Sequence, residues 1–97
     1  MNTYKTQART GLLLLKEVVL DVLLDAQSEG MILQPKEINE RIGIPDTKAE
    51  RYDGRATLIL GVLYHLETEG RVSHTYQQGT DKWQISEEEA NARKSWK

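Results

Sequence analysis

His65 and His74 are the two histidines of the chain, and no cysteine accompanies them. Neither stands in a short His-x-x-x-His spacing. A metal site needs three or four convergent donors, so no metal ligand and no cofactor is expected; each histidine reads as a solvated or hydrogen-bonded side chain. Ser73 and His74 are neighbours in sequence, but successive side chains of a strand point to opposite faces, which separates a nucleophile from its base. The seven glycines fall at turns and within the third helix, without the spacing of a phosphate-cradling loop. No catalytic residue is assigned, and the residues point to a binding module rather than an enzyme.

The chemistry that does have a pattern is charge. Lys36, Arg41, Lys48, Arg51 and Arg55 gather within twenty residues, and Lys82 follows later, whereas Glu17, Asp21, Asp25 and Glu29 lie together near the start. Cations grouped in this way bind phosphates, and each phosphate neutralised releases counterions. The formal net charge is -2, which gives no global attraction to a polyanion. Segregation of the two signs on opposite sides must therefore supply it, with screening over about 8 Å limiting the reach of the acidic side. Between the cations lie Thr57, Tyr64 and His65, and later Gln78, which can hydrogen-bond to base edges or phosphates.

Those residues must be positioned by elements, and the apolar spacing supplies them. Leu12, Leu15, Val18, Val19, Val22, Leu23 and Ala26 recur at helical spacing over residues 12–28, ended by Gly30. Met31, Ile32 and Leu33 suggest an abbreviated strand. Pro35 as a first helical residue, Ile38 and Ile42 on one face and Gly43 as a stop predict a two-turn helix over Pro35–Ile42. Residues 45–54 form an irregular connection, with Asp53 as a helix cap. The third helix spans 55–69, with Ile59, Val62, Leu63 and Leu66 facing inward. A strand over 72–77, a turn at Gln78-Gly79-Thr80 and a return over 82–86 make a hairpin whose Trp83 and Ile85 face the core. Tyr52, beside Arg51, reads as loop packing rather than stacking. Ser86 and Glu89 have capping-box spacing, so residues 87–97 are a tail or a short helix.

The fold class is mainly α with a small β-hairpin, in the order helix, short strand, helix, helix, two-stranded wing. That order resembles the winged helix-turn-helix superfamily over residues 12–86, with an arm at 1–11. Residues 34–44 look like the supporting helix, 59–70 like the recognition helix and 71–86 like the wing. The connection after the second helix exceeds the usual 3 to 4 residue turn of the motif. The resemblance implies duplex DNA as ligand, in a transcriptional regulator or a protein of a mobile-element or defence locus. The residues expected at the DNA are Lys36, Arg41, Arg51, Arg55, Thr57, Tyr64, His65, Gln78 and Lys82. The alternative is a protein-binding subunit or adaptor of the same fold, since the recognition face is poor in Arg and Lys.

Size and composition fit this reading. Ninety-seven residues, 38% hydrophobic and 29% charged, suit one soluble core. Charges at Lys16, Glu17 and Asp21 interrupt the apolar run near the start, so neither a membrane span nor a signal peptide is expected. Absence of cysteine suits a reducing compartment, and the cytoplasm is the expected location. Leu13, Leu20 and Leu24 form a second apolar stripe on the first helix, separated from the first by Lys16 and Gln27. That stripe is expected to pair two copies in a homodimer; the alternative is that the short strand, the terminal helix or Trp96 covers it within one chain.

Overall fold

The computed structural model describes residues 3–44 and 56–95. The protein has four helices among these residues, α1 (Thr3–Ser28), α2 (Pro35–Ile42), α3 (Thr57–Thr68) and α4 (Glu87–Lys94), with an antiparallel hairpin of β1 (Val72–Gln77) and β2 (Thr80–Ile85) between the last two. No helix among the described residues is long and apolar enough to cross a membrane.

Helix α1 starts at Thr3, so residues 3–11 are its first turns rather than an arm. Its buried residues are Val19, Leu20, Leu23, Leu24 and Ala26, with Leu12, Leu15 and Val22 half-buried and Val18 exposed. This overturns the expected dimer stripe for Leu20 and Leu24, which lie in the core of the single chain, while Leu13 is exposed. The physical reason is Lys16. Its ammonium meets the Glu69 carboxylate at 2.7 Å while most of the side chain is buried. A lysine stem can lie along apolar surface and keep its head in polar company. Lys16 therefore joins the two stripes into one broad face instead of dividing them.

The first turn of α2 is closed by the Gln34 N–H, which donates to Glu37 Oε1 at 2.9 Å. Ile38 is buried, and so is Asn39, whose side-chain amide donates to the Ile44 carbonyl at 3.0 Å. Helix α3 buries Ile59, Val62, Leu63 and Leu66, as the spacing predicts. It stops at Gly70, which has φ of 74°; the Gly70 and Arg71 N–H groups donate back to the Glu67 and Leu66 carbonyls. This left-handed cap satisfies the last carbonyls and turns the chain into the hairpin. Asp53, expected as the cap of this helix, lies outside the described residues, and Ala56 occupies the capping position.

The hairpin register pairs Val72 with Ile85, His74 with Trp83 and Gln77 with Thr80. Its loop is thus the two residues Gln78 and Gly79, with φ of 53° and 83°, and Thr80 belongs to the strand rather than the turn. Two successive positive φ values match the twist of the flanking strands. Trp83 and Ile85 are buried. The short strand between α1 and α2 contracts to one residue: Leu33 and Trp83 exchange backbone hydrogen bonds of 3.0 and 2.7 Å. Helix α4 is capped by Ser86, whose hydroxyl accepts from the Glu89 N–H at 3.2 Å. Ala90 is buried, and Arg93 ties the helix to α1 through Glu17 and Asp21, each at 2.6 Å.

Candidate nucleic-acid interface

Burial of Ile59, Val62, Leu63 and Leu66 against the core fixes what α3 turns outward. At about 100° per residue the opposite arc carries Thr57, Leu58, Gly61, Tyr64, His65 and Thr68, all exposed. The carboxylates of this helix region are drawn elsewhere. Glu67 meets His74 Nδ1 at 2.5 Å, and Glu69 holds Lys16. The hydrogen bond from Lys16 keeps the Glu69 carboxyl below its ordinary value despite some desolvation. The outward arc of α3 is accordingly a surface of hydroxyls, one phenol, one imidazole, one bare glycine and the exposed side chain of Leu58.

Tyr64 is held from beneath. Its ring meets Trp83 edge-on, with centroids 5.5 Å apart and planes at 84°. Trp83 also stacks against His74 at 4.4 Å, so the Glu67–His74 pair and the indole together fix the hairpin to α3. Edge-to-face aromatic contacts of this kind add about 0.5–1.5 kcal/mol beyond burial. One edge of Tyr64 faces an open cleft of about 420 Å³ that also has Gln34, Pro35 and Lys36 from the start of α2, Leu60 from α3, and Gly79, Thr80 and Asp81 from the hairpin tip in its walls.

The expected contact residues are thus only partly brought together. Lys36 and Tyr64 line the cleft, and exposed Gln78 stands in the loop beside it. Thr57 and His65 are exposed on α3 but are not part of the cleft wall. Lys82 pairs with Thr75 across the hairpin, on the strand face opposite to Trp83. Arg41 sits in the last turn of α2 and is engaged there, 3.4 Å from Glu29 and 3.6 Å from the Met31 sulfur. Arg51 and Arg55, with Lys48 and Tyr52, lie outside the described residues.

Two residues escaped the sequence reading. Asp81 shares the cleft with Lys36 and opposes it in charge; it pairs with Tyr76 because the loop is two residues long and the return strand starts at Thr80 rather than at Lys82. Asn39 anchors the start of the connection from within the core. Its signal was a polar residue beside Ile38 on a two-turn helix. Comparison with family models, curated proteins and solved structures finds no match for this chain.

Proposed function

We propose that the protein is a winged-helix module that binds duplex DNA, with α3 as the recognition helix and the β1–β2 hairpin as the wing. The observation that carries this reading is the outward arc of α3: Thr57, Gly61, Tyr64, His65 and Thr68 around Leu58, free of carboxylates and set beside a cleft that holds Lys36. A helix entering the major groove needs short hydrogen-bonding side chains and close approach at its outer face. Lys36 supplies a phosphate contact from the cleft beside that helix, and Lys82 one from the face of the wing opposite to Trp83. The backbone exchange between Leu33 and Trp83 supports the same arrangement, because it closes the hairpin onto the strand that precedes α2.

The test is a salt titration of duplex binding by fluorescence anisotropy, with the full chain. Log affinity is expected to fall linearly with log salt, by about 0.9 for each phosphate contacted. Alanine at Thr57, Tyr64 and His65 is expected to erode preference among duplex sequences more than overall binding, at about 1–3 kcal/mol per base contact. Absence of saturable binding at low salt overturns the reading, and so does an equal loss on every duplex.

One observation favours a second reading, a protein-binding winged helix. Leu58 is 53% exposed and Tyr64 47% exposed on a helix that carries neither Lys nor Arg. Apolar and aromatic side chains without charge are the composition of a protein-interface centre. The same titration separates the two, since a protein-binding face shows no steep dependence of duplex affinity on salt.

A further inference from the structure

The overhanging first half of α1 is unexplained by the core of one chain. From Thr3 to Gly11 every residue is exposed, and Leu13 and Leu14 beyond them are exposed too. Thr3, Thr6, Thr10 and Gly11 are weak helix formers, and a glycine inside a helix costs about 1 kcal/mol relative to alanine. No acidic residue occupies the first turn. Short helices of such composition do not persist in water on their own propensity; packing of a face sustains them.

A face is present. Tyr4, Gly11 and Val18 recur every seven residues with Leu14 among them, and Tyr4 is 84%, Leu14 63% and Val18 43% exposed. Ala8, Leu15 and Val22 flank them at the same spacing. Seven-residue recurrence is the seam of a helix pair. Nothing lies within 4 Å of where a Gly11 side chain would be, so its bare backbone permits the close approach of a second helix. This seam is distinct from the stripe through Leu20 and Leu24, which the core has consumed.

We propose that this seam pairs with the α1 of a second copy, antiparallel, about a two-fold axis between Leu14 and Leu15. Two observations identify the occupant. The first is length: the overhang runs about eleven residues N-terminal to Leu14, and the seam continues about eleven residues C-terminal to it through exposed Val18, Asp21 and Asp25, with Leu15 and Val22 half-buried at its edge, roughly 16 Å each way at 1.5 Å per residue. Each overhang fits the bare face of the other chain. The second is charge. Residues 3–16 carry Lys5, Arg9 and Lys16 without a carboxylate, and residues 17–29 carry Glu17, Asp21, Asp25 and Glu29 without a cation; Lys16, Glu17, Asp21 and Glu29 already meet opposite charges of their own chain, so the bias is carried by Lys5 and Arg9 at one end against Asp25 at the other. Antiparallel pairing sets the basic half beside the acidic half, whereas parallel pairing sets like on like, which is unfavourable.

The inference does not depend on DNA binding and is tested without DNA. Sedimentation of the full chain at tens of micromolar is expected to give twice the chain mass, and L14E/V18E to give the chain mass while keeping cooperative unfolding, since both positions are exposed. Direction is read by crosslinking, which the absence of native cysteine makes clean. Tyr4→Cys mixed with Asp25→Cys is expected to form a disulfide-linked pair, and Tyr4→Cys alone is not. A monomeric native chain, a dimer that survives L14E/V18E, or self-crosslinking of Tyr4→Cys alone each overturns the proposal.

Discussion

Lys36 and Arg41 are five residues apart on one short helix, and the structure gives them different work. Lys36 opens onto the cleft beside Tyr64, whereas Arg41 points back to Glu29 and Met31. An exposed ion pair such as Arg41–Glu29 contributes little to stability, but it occupies the guanidinium. Lys36→Ala is therefore expected to lower the salt slope of duplex binding by about 0.9, and Arg41→Ala to leave it nearly unchanged. Anisotropy titrations at four or more salt concentrations check both, and equal slopes for the two variants would contradict the assignment. Asp81 gives the opposite case. Its carboxylate shares the cleft with Lys36 and repels any phosphate there, so Asp81→Asn is expected to tighten duplex binding at low salt and to have less effect at high salt, where screening is shorter. Unchanged affinity at low salt would place the phosphate path elsewhere.

At the level of elements, α4 and the hairpin are held to α1 by one charged cluster. Glu17 receives hydrogen bonds from Arg93 at 2.6 Å and from Arg71 at 3.4 Å. Arg93 also reaches Asp21, and Arg71 also reaches Glu89 and Glu69. The Arg93 hydrogen bond holds the Glu17 carboxyl below its ordinary value of 4.5, against a smaller cost of burial. A carboxyl depressed in the folded chain stabilises it above the unfolded value; that contribution is lost as pH falls through the lower, folded value. Urea midpoints are expected to fall as pH drops below about 4.5, and Glu17→Gln to flatten this decline while lowering the midpoint at neutral pH. A decline of identical steepness in both proteins would remove Glu17 from the account. This cluster also marks the limit of what the sequence disclosed. Local signals named the hairpin, the bounds of α2, the inward face of α3 and the cap at Ser86, because each depends on residues within a few positions of one another. The orientation of α1 does not: it turns on Lys16 finding Glu69, a contact between distant segments, and so the periodicity alone leaves Leu20 and Leu24 on the surface. Likewise the shared cleft of Lys36, Tyr64 and Asp81 exists only after α2, α3 and the hairpin tip converge.

For the whole molecule, the charge layout and the exposed seam bear on one another. Glu17 and Asp21 of α1 are tied up with α4 and with Arg71, which precedes β1, on one side, while the outward arc of α3 is without carboxylates. A single such arc, with no Arg or Lys of its own, offers modest contacts to a duplex. Two arcs related by a two-fold axis through α1 would engage two half-sites at once, and linking two binding events raises overall affinity by about 10² to 10⁴ without any new contact. Duplexes selected from a random pool by the native chain are therefore expected to be inverted repeats, since operator symmetry mirrors protein symmetry. On such a duplex L14E/V18E is expected to bind about 100-fold or more weakly than the native chain, yet to match it on a duplex carrying one half-site. The half-site control is what isolates the pairing, because neither Leu14 nor Val18 lies on α3 or the hairpin. Selected sites without symmetry, or equal affinity of the two chains for the inverted repeat, would mean that each protomer reads DNA alone, and the seam on α1 would then serve something other than recognition.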